Sequence, residues 1–130
     1  MSTRLANTLT VKLHFTPLYE KHRQMGNCSW EDDSYRPKEF TIEIDPSTRL
    51  RRVLESICHE MVHVKQFAKG EMRDLASAEK VSWNGQKYDI SSDEYFERPW
   101  EIEAHGRELG LFIRWAEKHE LGHLKWTHDK

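Results

Sequence analysis

Hydrophobic and polar positions alternate along Leu9-Thr-Val-Lys-Leu-His-Phe15, which puts Leu9, Val11, Leu13 and Phe15 on one side of a predicted half-buried strand. Residues 20–37 are polar and carry Gly26, Asn27 and Pro37, so they read as a loop with room for a short helix. Alternation returns at Phe40-Thr-Ile-Glu-Ile-Asp45, with Phe40, Ile42 and Ile44 inward. Asp45-Pro46-Ser47 then closes the strand and offers a side-chain cap for a helix running from about Thr48 to Ala68. Leu50, Leu54, Ile57, Met61 and Val64 form its apolar stripe, and Gly70 is a natural stop.

Residues 71–79 extend this helix or form a short turn. Val81 to Tyr88 is a hairpin signal, because Asn84-Gly85 suits a two-residue type I′ turn that opposes Trp83 to Gln86 and Val81 to Tyr88. Pro99 can open a second long helix from Trp100 to about His119, with Ile102, Leu109, Phe112, Ile113 and Trp115 as apolar positions. The tail packs through Leu124 and Trp126. These elements predict one α+β domain over residues 1–130: a small, mostly antiparallel sheet on a central helix, with a second helix beside it.

Composition changes this picture little. A hydrophobic fraction of 37% and a charged fraction of 32% suit a globular chain of 130 residues. The net charge of −2 and the scattered Lys and Arg give no electrostatic case for nucleic acid or an anionic membrane. No apolar run approaches the roughly 20 residues that span a bilayer, and the first residues lack a signal-peptide core. The expected compartment is the cytoplasm, with Cys28 and Cys58 reduced. Two cysteines also exclude a four-cysteine zinc ribbon within this chain.

Chemistry concentrates in His59-Glu60-Met61-Val62-His63. Histidines four apart on a helix share a face and can aim two imidazoles at one metal ion. At about 100° per residue they lie opposite the apolar stripe, while Cys58, Val62 and Phe67 cover the flanks. A helix apolar on most sides belongs at the centre of a domain. Glu60, beside the histidines, is the expected catalytic carboxylate, taking a proton from the attacking water and handing it to the leaving amine. Catalytic zinc usually has three protein ligands, and Glu101, Glu103 and His105 are candidates for the third. Glu101 and His105 share a helix face while Glu103 points elsewhere; spacing alone leaves the first two open.

The pairing of HExxH with Glu101-Ile-Glu-Ala104 on a second helix resembles the gluzincins, zinc peptidases whose third ligand is a glutamate. More narrowly, Ile57 to Gln66, the Trp83–Tyr88 hairpin and Arg98-Pro-Trp-Glu-Ile-Glu-Ala104 look like the small minigluzincin and SprT-like proteins of phages and bacteria. The likeness covers roughly residues 38–115. It implies a zincin-like fold, a Zn2+ ion on His59, His63 and Glu101, and hydrolysis of peptide or protein substrates in the cytoplasm, that of the bacterial host in the case of a phage protein. His105 stands where such proteins commonly place an aspartate supporting a ligand histidine, which is a departure. A second class of function follows from the same likeness: a catalytically silent zincin-fold protein that keeps zinc and serves as a binding or regulatory module.

Tyr88, Tyr95 and His105 are conceivable donors to the oxyanion of a tetrahedral intermediate. An extended substrate could add to an edge strand near Phe40–Asp45. His14 and the tail histidines 119, 123 and 128 read as exposed, Trp83, Trp100 and Trp115 as core anchors, and Cys58 as a small buried hydrophobe.

Overall fold

The computed structural model describes residues 2–32, 36–75, 80–90 and 98–128. Among these residues the architecture is α+β, with two small three-stranded sheets, one mixed and one antiparallel, and four α-helices. A short α1 (Thr3–Ala6) leads into β1 (Thr10–Phe15), α2 (Leu18–His22) and β2 (Gly26–Trp30). Then follow β3 (Glu39–Ile44), the long α3 (Leu50–Ala68), β4 (Met72–Asp74), the hairpin β5 (Lys80–Trp83) and β6 (Gln86–Asp89), and α4 (Pro99–Lys118). Among the described residues no helix is long and apolar enough to cross a membrane.

The first sheet has the order β1-β3-β2, so β3 is its centre and not an edge. Phe40, Ile42 and Ile44 are all buried, as their alternation requires. β2 pairs antiparallel to β3, whereas β1 pairs parallel, so the expected mostly antiparallel sheet is instead two sheets, the first mixed. β2 and α2 lie in the stretch that reads as a loop. A Gly-Asn-Cys-Ser-Trp segment has no period of its own, and its pairing with β3 makes it a strand.

β1 departs from expectation in burial. Val11, Leu13 and Phe15 sit level with Phe40, Ile42 and Ile44 on the helix-facing side, yet they are 37%, 43% and 57% exposed. α3 packs across β2 and β3 and leaves the inner face of β1 uncovered. Only Leu9, just before the strand, reaches the core.

α3 begins at Leu50 without a side-chain cap. Asp45, expected to serve there, instead accepts the backbone N–H of Tyr19 at 2.7 Å and of Ser47 at 2.9 Å, tying α2 to the end of β3. Of the predicted stripe Val64 is fully buried, Leu54, Ile57 and Met61 are half-buried and Leu50 is exposed. Val53, Val62, Val64, Phe67 and Ala68 are buried on different sides of the helix. α3 is therefore central, most completely in its second half. Gly70 follows it with φ 74°, and β4, not more helix, comes next.

The hairpin forms in the predicted register, with Trp83 opposite Gln86 and Val81 opposite Tyr88. Asn84 and Gly85 both have positive φ, 48° and 86°, as a type I′ turn demands. Trp83 and Tyr88 bring their rings against the buried Trp100 at the start of α4. On α4 the buried residues are Trp100, Glu101, Ala104, Glu108, Phe112 and Ala116. Ile102, Leu109, Ile113 and Trp115, expected to pack, are exposed because the face of α4 turned to α3 carries the two glutamates and the small alanines instead. Trp126 approaches Phe112 at 6.4 Å, which seats the tail.

Candidate metal centre

Helical spacing puts His59 and His63 side by side on α3, and the start of α4 brings Glu101 to them. His59 Nε2 lies 3.3 Å from His63 Nε2 and 3.1 Å from Glu101 Oε1. Glu101 Oε2 lies 3.3 Å from His63 Nε2. All three residues are buried.

The far side of each ring fixes what the near side can do. His59 Nδ1 faces Glu108 Oε2 at 3.1 Å, and a carboxylate only accepts, so Nδ1 donates. His63 Nδ1 meets Gln66 Oε1 at 2.8 Å. The Gln66 amide nitrogen donates to Trp100 O at 3.0 Å and Glu103 Oε1 at 2.9 Å, which makes Oε1 the acceptor and His63 Nδ1 a donor as well. In the neutral rings both Nε2 atoms then carry lone pairs aimed at each other and at a carboxylate. Three converging acceptors are a poor arrangement without a cation between them.

Their spacing is close to what one needs. Ligand atoms about 2.0–2.2 Å from a single tetrahedral ion lie about 3.3–3.6 Å apart, and here the two Nε2 atoms are 3.3 Å apart, with one oxygen of Glu101 3.1 Å from His59 and the other 3.3 Å from His63. Two overlapping groups could hold a metal ion, His59 with Glu60 and His63, and His59 with Glu101 and His105.

Without an ion, protons supply the missing charge. Burial opposes protonation of His59, but hydrogen bonds to Glu101 and Glu108 outweigh it and raise its pKa from 6.5 to about 9. His63 is raised likewise, burial being outweighed by its bonds and charge contacts with Glu101.

Glu60 is buried on the neighbouring side of α3, with a carboxylate oxygen within 4.8 Å of a ring nitrogen of each histidine. Burial raises its pKa, only partly offset by the two histidines. Its stem lies under β2 at Gly26, where an added Cβ would stand 3.3 Å from Glu60 Cγ and 2.8 Å from Ile44 Cδ1. Gly26 thus permits the close approach of strand and carboxylate.

Glu103 points away from the centre, to Lys65 at 2.9 Å, Gln66 and Arg107. His105 packs its ring on His59, centroids 4.4 Å apart, and turns Nδ1 to Glu108 Oε1 at 3.5 Å. An alternative grouping of His59, Glu101 and His105 also exists. Tyr88 turns its hydroxyl to Gln86 and its ring to Trp100; Tyr95 lies outside the described residues.

Sequence reasoning missed Glu108, Gln66 and Gly26. Glu108 supports His59 in the position expected of His105, and burial is outweighed by His59 and Arg52 in holding its pKa below the ordinary value. Its signal was there: seven residues after Glu101, it shares that helix face. Gln66, three residues after His63, was also in reach; a lone Gly26 in a polar stretch carried none. Cys28 and Cys58 are both free, and burial raises both thiols.

Comparison with protein-family models, curated proteins and solved structures finds no match for this chain.

Proposed function

We propose that the protein is a zinc-dependent peptidase of zincin type, with His59, His63 and Glu101 as metal ligands and Glu60 as general base. One observation carries the reading: two histidine lone pairs and a carboxylate converge at 3.1–3.3 Å, each histidine oriented from behind, with a buried, unligated glutamate beside them. Imidazole and carboxylate at tetrahedral spacing favour zinc, and three protein ligands leave a fourth position open. Zinc bound there supplies a Lewis acid that polarises a scissile carbonyl and acidifies water.

The chain's own residues supply the rest. Glu60, buried and with a raised pKa, accepts the proton of the attacking water and returns it to the leaving amine. Glu108 and Gln66 hold the imidazoles in the ligating tautomer. β2 runs beside Glu60 with no strand on its outer side among the described residues, so an extended peptide would pair there and not along the central β3. Two free cysteines accord with a reducing cytoplasm.

The test is Glu60→Gln in zinc-loaded protein. Hydrolysis of a casein or quenched-peptide substrate should fall by about a thousandfold or more with zinc content retained. Equal activity in variant and parent would refute the peptidase reading and leave a zinc-binding module.

A further inference from the structure

The cleft around Glu60 has two unequal lobes that share Gly26 and Glu60. The smaller, about 260 Å³, has Phe67, Met72, Val81 and Trp100 in its walls together with the charged Asp74 and Arg98. The larger, about 520 Å³, carries two arginines, Arg23 and Arg52, beside Met25 and Ser56.

The acidic groups near these arginines are already committed. Glu108 faces His59 through one oxygen and Arg52 and His105 through the other. Glu55 is shared between Arg51 and Arg52, at 3.5 and 4.0 Å. Arg23 is exposed at the C-terminal end of α2, with φ 55°, and its guanidinium lies 5.2 Å over the Tyr19 ring. A cation–π contact of this kind steadies a guanidinium without consuming its in-plane N–H donors, which match a carboxylate in a two-point fork. The larger lobe therefore offers a steadied cation in Arg23, with Arg52, paired to Glu108 and Glu55, behind it, whereas in the smaller lobe Arg98 donates to Ile90 O at 3.3 Å.

We infer that the larger lobe binds a carboxylate of the peptide substrate, received by Arg23 and backed by Arg52, and so directs cleavage to bonds near an acidic group. This rests on the peptidase reading. The carboxylate could belong to an Asp or Glu side chain or to a free C-terminus, which differ in where along the peptide it must stand.

The test uses the zinc-loaded full chain and quenched peptides with blocked ends, carrying Asp, Asn or Lys in turn at each position. A parallel set has a free or amidated C-terminus. The expected result is kcat/KM about tenfold or more higher for a carboxylate than for its neutral amide at one position or at the terminus. In Arg23→Glu that ratio should fall below one and Lys should become the preferred residue, with Arg23→Gln in between. Added salt should shrink the preference. Cleavage without charge preference, or a preference untouched by both variants while zinc content and circular dichroism are normal, would overturn the inference. Should no peptide be cleaved, the peptidase reading fails on its own. The lobe is then judged by calorimetric titration of the zinc-loaded Glu60→Gln protein with the Asp and Asn peptides. An Asp preference of about tenfold, lost on adding Arg23→Glu, supports a carboxylate site; equal affinities overturn it.

Discussion

Replacing Glu108 with alanine would remove the carboxylate that orients His59 from behind. The lost contact is a charge-assisted hydrogen bond of 3.1 Å between buried partners, a kind contributing about 1.5–3 kcal/mol. The loss falls on the metal-bound state, in which Nδ1 must donate so that Nε2 can ligate; zinc affinity should therefore drop by about 10–100-fold. The variant also removes an acceptor that Arg52 and His105 share, Glu108 Oε1 at 3.5 Å to each, so some loss of stability accompanies it. Glu108→Gln keeps an acceptor oxygen at the same reach but removes the charge, and should recover most of the affinity. Competition against a fluorescent zinc chelator near neutral pH measures each variant, with Glu117→Ala on the exposed face of α4 as control. Affinity within about twofold of the parent in a folded Glu108→Ala protein would refute the tautomer argument, because the ring would then be held without its partner.

Two further outcomes test the same centre. In metal-free protein the pKa of His59 is raised to about 9 and that of His63 is raised too. The folded state binds these protons more tightly than the unfolded chain. The stability they contribute is full below about pH 6.5 and is lost as pH climbs through about 9. Urea unfolding of chelator-treated protein should thus show a falling stability across that window, and a flat or rising profile counts against the convergent geometry. Gly26→Ala places a methyl 2.8 Å from Ile44 Cδ1 and 3.3 Å from Glu60 Cγ; overpacking of this kind costs about 1–3 kcal/mol. Thermal unfolding should register that loss, and peptidase activity should fall further than zinc binding because Glu60 is displaced and the ligands are not.

Local chemistry was the legible part of the sequence. The Asn84-Gly85 turn fixed its own register, since positive φ at both positions leaves one pairing of the flanking strands. Pro99 marked the first residue of α4, where its fixed φ suits the first turn. The motif put His59, Glu60 and His63 on a helix whose second half is buried nearly all round. What alternation cannot convey is whether a second layer covers the face it defines. Val11, Leu13 and Phe15 share the side of β3's buried residues, and still lie open because α3 stops short of them. Ile102, Leu109 and Ile113 are apolar at helical spacing and face outward. The choice between Glu101 and His105 was likewise a matter of distance across two helices. Both share a face of α4, but Glu101 sits at the end nearer to both histidines, and His105 stacks beside one.

The proposed ligands reside on two helices and are far apart in the chain: His59 and Glu101 are 42 residues from each other. An ion seated between them would act as a cross-link and close the intervening chain into a ring. That ring contains the whole of the second sheet, β4 to β6, which has three-residue and four-residue strands and little bulk of its own. Closing a loop of this length in advance removes conformational freedom from the unfolded chain, a gain that grows only slowly with loop size. The metal would then bear mechanically on a part of the protein that supplies none of its ligands. Starvation for zinc would slacken the hairpin wall of the cleft as well as empty its centre.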